Sequence, residues 1–254
     1  LRFARLRFVG PPDNSCTAMG TLTLWDHLYA ISVFIVYPIV AKQTFPALIR
    51  KVRQGGEEGK VTAYRHTLLS LAGLAIILGT MWLMLGRPWS DLGIRLSSPY
   101  QLAAGLVVCV VVILTTLAQF RTAQQKNMVA PGDPPRDLIA LLPRSDREQR
   151  WFRAVAANAG VSEELIFRGY LIWYFSQLVS LLTAAFIAIA LFTFAHSYQG
   201  IRQVPGLLIM STVLVGLYFL SGSLLLPIVL HATFDMVQGH YIARLPQQHA
   251  DPAN

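Results

Sequence analysis

Two stretches of the chain, residues 68–85 and 102–118, carry no charged side chain. At helical rise each extends about 25 Å, close to the hydrocarbon thickness of a bilayer, so both are predicted to be membrane-spanning helices. Residues 28–40 form a third run, with Trp25, Tyr29 and Tyr37 available as interfacial anchors and Pro38 as its weak spot. After Arg168 an uncharged stretch reaches His196; it is too long for one span and is interrupted by Ser176, Gln177 and Ser180. That pattern predicts a hairpin of two helices turning near Val179, the first starting near Arg150. Two more helices follow, over about 206–220 and 224–241, separated by the turn-forming Ser221-Gly222-Ser223. The expected fold is all-α: a polytopic integral membrane protein of about seven transmembrane helices, with six to eight as the range.

Composition agrees. Of 254 residues 54% are apolar and only 13% charged, with a mean hydropathy of +0.49, whereas about a quarter of a soluble domain is charged. The net charge of +8 changes the picture only in where it lies. Lys42, Arg50, Lys51, Arg53, Lys60 and Arg65 separate the first two helices, and a second basic group lies between Phe120 and Arg150. Neither is interleaved with aromatics as a nucleic-acid surface would be, so no nucleic-acid partner is expected. Basic loops stay in the cytoplasm, which sets the N-terminus outside and the C-terminus inside. Arg2, Arg5 and Arg7 oppose that orientation, and the leader has no apolar core of signal-peptide length; Met19 is the expected start. Cys16 and Cys109 suggest neither a disulfide framework nor a thiolate metal cluster. The expected organisation is a polar leader (1–23), three membrane helices (24–120), a cytoplasmic linker (121–149), a second membrane region (150–241) and a polar tail (242–254).

Ionisable groups inside membrane helices are costly and need partners, and the second region concentrates them: Glu163, Glu164, Arg168, His196, His231 and Asp235. Glu164 and Arg168 stand four apart, where an acid preceding a base pairs along one helix face. Glu163 lies about 100° around the helix from Glu164 and is left to meet another helix. With a turn near Val179, Glu163 and His196 both lie roughly 24–26 Å from it. They come out at one depth. A carboxylate facing an imidazole in a low-dielectric cavity is a workable water-activating pair, and Phe192, one turn earlier, is placed to pack the ring. His231 and Asp235 repeat the four-residue spacing on the last helix, and two roles fit them: donors to an oxyanion, or metal ligands together with Glu163 and His196, zinc being the metal such donors suit.

These residues form three motifs in order: Glu163-Glu164-Leu165-Ile166-Phe167-Arg168 (EExxxR), Phe192-Thr193-Phe194-Ala195-His196 (FxxxH) and His231-Ala232-Thr233-Phe234-Asp235 (HxxxN/D). In this the chain resembles the CPBP family, the CAAX proteases and bacteriocin-processing enzymes also called the Abi family. The resemblance covers roughly 147–239, with Asp91-Leu92-Gly93-Ile94 similar to a loop seen there. It implies a polytopic helical fold with a cavity open to membrane and cytosol, and peptide-bond hydrolysis; in eukaryotic members the substrate is a prenylated CAAX protein that loses three C-terminal residues. Carried over, Glu163 activates water with His196, Glu164 and Arg168 support the site, and His231 with Asp235 stabilises the oxyanion. The family's usual residue at the last position is Asn. An ionised Asp235 would repel an oxyanion, so it is protonated, orients His231, or binds a metal.

The expected function is therefore a CAAX-protease-like intramembrane endopeptidase, a glutamate protease or a metalloprotease, acting on a membrane-associated protein or peptide in a bacterial plasma membrane. Two other classes compete: a non-catalytic protein of the same fold, as in bacteriocin immunity or scaffolding, and a transporter using the same groups as a proton relay. The transporter reading is weakened because the chain has no inverted repeat.

Overall fold

The computed structural model describes residues 22–126 and 136–243. Met19, Cys16, the leader arginines, most of the proline-rich linker and the tail after 243 lie outside the described residues. Among those described, every long element is a helix, as the hydrophobic pattern requires.

The first two spans differ from expectation in what joins them. Helix runs over Leu24–Met84, and its one non-helical residue, Gly56 (φ 54°, ψ −131°), folds it back on itself. This defines α1 (24–55) and α2 (57–84). The fold-back is fixed by contacts: Tyr29 Oη donates to the Leu74 carbonyl at 3.0 Å, and Asp26 pairs with Arg87. Residues 42–65, expected as a loop, are thus two helix ends. Lys, Arg, Gln and Glu are good helix formers, and the helix runs on through Pro46 to Gly56, where glycine accepts the positive φ. Pro38 also fails to stop α1. The helix widens to π geometry over Ser32–Val36 just before it, a local adjustment that accommodates the missing N–H.

Because α1 has about 32 residues and extends about 48 Å, it overshoots a 30 Å hydrocarbon layer by about 18 Å. The projecting end of the hairpin docks on the segment before the next long helix. Lys60 Nζ donates to the Leu142 carbonyl and to Glu148 Oε2, both at 3.0 Å, Tyr64 Oη donates to the Leu141 carbonyl, and Arg147 pairs with Glu58. Burial pushes the Glu148 carboxyl up, but the Arg144 N–H and the Lys60 ammonium outweigh it and hold the group below the usual carboxylate range. At the opposite end Arg87 grips both oxygens of Asp26 at 2.6 and 2.8 Å, its guanidinium lying over the Trp82 and Trp173 rings.

After a short 3₁₀ turn at Trp89–Leu92 comes α3, Pro99–Gln125, capped by Ser98 accepting from the Gln101 N–H. Next is α4, continuous over 146–176 and begun a turn earlier than Arg150: α-helical over Asp146–Glu164, π-helical over Leu165–Leu171, then α-helical over Ile172–Ser176. The predicted hairpin comes next, with α5 at Leu181–Ala195 capped by Ser180. The last two helices are α6, Val204–Ser221, and α7, Leu225–Ile242, which makes seven long helices among the described residues.

Helix α4 is central, with α2 packed on one side and α7 on another. Gly160 permits the second contact, since a Cβ there would lie 2.9 Å from both the Ile228 carbonyl and the Ala232 methyl. Aromatic side chains of α1, α2, α4 and α5 form the main core around Phe34, Trp82, Phe167, Tyr170 and Phe192. A second cluster joins α3 to α6 and α7 through Cys109, Leu214, Leu217, Leu226 and Leu230.

Candidate active site

Glu163 and Glu164 are the last α-helical residues of α4 before its π segment. A single-turn π widening of this kind is frequent where a helix carries function. The two side chains diverge as their angular separation requires. Glu164 is fully buried, and its Oε1 accepts from Arg168 Nη1 at 2.8 Å and from His231 Nδ1 at 2.7 Å. Its Oε2 has no hydrogen-bond partner among the described residues. The other arm of Arg168, Nη2, donates to Ser211 Oγ on α6 at 3.0 Å, and the guanidinium lies over the Phe192 ring at 4.4 Å.

Glu163 faces two histidines instead. Its Oε2 lies 3.5 Å from His196 Nε2 and 3.9 Å from His231 Nε2. His196 is the first residue past α5, and its Nδ1 lies 2.9 Å from the Phe192 carbonyl. A carbonyl only accepts, so Nδ1 carries the hydrogen and a neutral His196 turns the lone pair of Nε2 toward Glu163. The Phe192 ring packs on the imidazole at 4.4 Å between centroids. Asp235 Oδ2 stands 3.7 Å from His231 Nε2, with its side chain 33% exposed against none for Glu164.

All six residues singled out in the sequence thus converge, and Glu163 meets His196 across the α4–α5 hairpin. Two links were not legible: the Glu164–His231 bond and Ser211. A serine in an apolar helix gives no pattern that distinguishes it. Carboxylate oxygen and imidazole nitrogen are donors that zinc takes, but no three such groups among the described residues are arranged to hold a metal ion.

These features define a buried carboxylate–imidazole centre inside a helical membrane bundle. Residues 150–237 match the family described as type II CAAX prenyl endopeptidase Rce1-like. The matched residues, from α4 into α7, are thus similar to the CAAX-protease family, and the chain is an all-α membrane protein. The match contains all six residues and leaves α1–α3 outside it. No curated protein and no solved structure matches the chain.

Proposed function

We propose that the protein is an intramembrane endopeptidase that hydrolyses a peptide bond of a membrane-associated protein or peptide, using water activated between Glu163 and His196. The observation that carries this reading is the convergence of Glu163 Oε2 on His196 Nε2 at 3.5 Å. That spacing exceeds a direct hydrogen bond and suits a water held beside both acceptors. In this reaction Glu163 takes a proton from the water as its oxygen attacks the scissile carbonyl carbon. When the C–N bond breaks, the proton passes to the departing amine. His231 in its cationic form keeps Nδ1–H on Glu164 and offers Nε2–H to the oxyanion. Asp235, beside that nitrogen, orients the ring. An amide there keeps the contact, so Asp235→Asn retains activity.

The experiment compares peptide termini across the proteome of a wild-type strain and a Glu163→Ala strain, with purified protein tested on a prenylated CAAX reporter. Loss of at least about a thousandfold in reporter cleavage is expected from the substitution, with insertion and thermal unfolding unchanged. Full turnover by the Ala variant overturns the role of Glu163, and a wild type that cleaves nothing leaves the non-catalytic, partner-binding alternative.

The orientation that goes with this function places the α1–α2 hairpin end and the start of α4 in the cytoplasm, because Lys and Arg cluster there. Single cysteines, in a background with Cys16 and Cys109 replaced by Ala, test it. An impermeant reagent on intact cells is expected to label Leu178→Cys and to spare Gln54→Cys; the reverse pattern overturns it.

A further inference from the structure

We infer that Ser211 is a positioning residue of this site: from α6 it anchors Arg168, through Arg168 it fixes Glu164, and through Glu164 it fixes the His231 ring. The inference rests on the endopeptidase reading for its kinetic consequence but not for its structural one.

Four side chains from three helices form one file. Ser211 Oγ accepts from Arg168 Nη2 at 3.0 Å, Arg168 Nη1 donates to Glu164 Oε1 at 2.8 Å, and the same oxygen takes His231 Nδ1 at 2.7 Å. Ser211 and Glu164 are wholly buried, and Arg168 and His231 nearly so. A guanidinium has five N–H donors in a rigid plane. Held at one end only, by Glu164, it can pivot about that bond; a second contact from α6 fixes the plane. The Phe192 face at 4.4 Å limits tilt but offers no directional acceptor in the plane. Ser211 Oγ supplies it. The Glu164 carboxylate depends on this, because Arg168 and His231 share Oε1 and nothing described bonds Oε2. A small rotation of Arg168 draws Oε1 away from His231 Nδ1; the cationic ring then loses the bond that aims its Nε2–H, and the neutral ring is free to carry its hydrogen on Nε2, the nitrogen turned toward Glu163 and Asp235.

Outer partners fix ring orientation in the same way around metal-ligating histidines, where their loss costs about 10–100-fold in metal affinity or activity. Ser211→Ala is accordingly expected to lower kcat on a prenylated CAAX reporter about tenfold with KM unchanged, and Ser211→Thr, which keeps the hydroxyl, to restore it. The second readout needs no turnover. In protein carrying ¹⁵N-histidine in lipid nanodiscs, the neutral His231 ring is expected as the Nδ1–H tautomer in the wild type and in Ser211→Thr, and as a mixture in Ser211→Ala. His231→Gln assigns the signal. If Ser211→Ala does not fold, Ser211→Cys takes its place, near in size but a weak acceptor. A wild-type tautomer together with wild-type kcat in the folded Ala or Cys variant overturns the inference. A wild-type protein that cleaves nothing, with the tautomer shift still present in Ser211→Ala, overturns the endopeptidase reading and supports the placement of Ser211.

Discussion

Helix α3 and helix α4 are neighbours in sequence and opposites in composition. Between Tyr100 and Phe120, α3 contains no ionisable side chain other than the Cys109 thiol, and its buried residues are small or apolar: Gly105, Cys109, Phe120 and Ala123. Most of its other faces are open to lipid. Helix α4 buries Glu163, Glu164 and Arg168, and it does not appear among the helices long and apolar enough to cross a membrane, which are Leu24–Met84, Pro99–Gln125 and Ile201–Ser221. Yet α4 is the helix around which the bundle is built. Hydropathy selects the helices that touch lipid; the helices that carry chemistry are too polar to face it and depend on the others to enclose them.

Three substitutions test this contrast. Arg168→Ala leaves Glu164 and its charge enclosed with His231 as sole partner, and removing one member of a buried ion pair costs about 3–5 kcal/mol. Thermal unfolding in detergent is expected to fall well below that of the wild type, with reduced yield and reduced reporter cleavage. A variant of unchanged stability would show that α4 does not need its internal pairing.

A smaller effect is expected at the water-facing end of α4. Lys60→Met removes the ammonium that Glu148 accepts from, at a cost of about 2 kcal/mol near neutrality. The sign of its pH dependence is set by the lowered Glu148 carboxyl. A carboxyl depressed in the folded state stabilises above its unfolded value, near 4.3, and loses that contribution as pH falls through the folded value. The gap between wild type and variant should therefore be widest at neutral pH and close in acid; a gap constant from pH 7 to pH 3 would show that Lys60 acts through packing alone. Leu106→Ala on α3 is the smallest change, expected within about 0.5 kcal/mol because the residue is 47% exposed on the lipid side. A large loss there would mean that α3 is buried in an assembly.

The contrast also explains what could be read from the chain. Helix positions in the second region were legible because Ser176-Gln177 and Ser221-Gly222-Ser223 interrupt long apolar runs. The meeting of Glu163 with His196 came from counting residues to one turn. The hairpin at Gly56 was not legible, since Lys, Arg and Glu read equally as a polar loop or as the solvated end of a helix. Nor was the buried pairing of Lys60 with Glu148, which joins positions 88 apart. The bond between Glu164 and His231 depends on the close approach of α4 to α7 at Gly160, and crossing geometry leaves no periodic trace in a sequence.

Helix α5 has 15 residues, so it rises about 22 Å and stops some 8 Å short of a full bilayer crossing. Past its last turn the backbone is irregular: His196, two 3₁₀ turns and Gly200 at φ 97°. Such backbone is tolerated at membrane depth only where protein or a water-filled cavity surrounds it. The truncated helix thus ends before the wall does, leaving His196, with its side chain 15% exposed, on irregular backbone past the last turn.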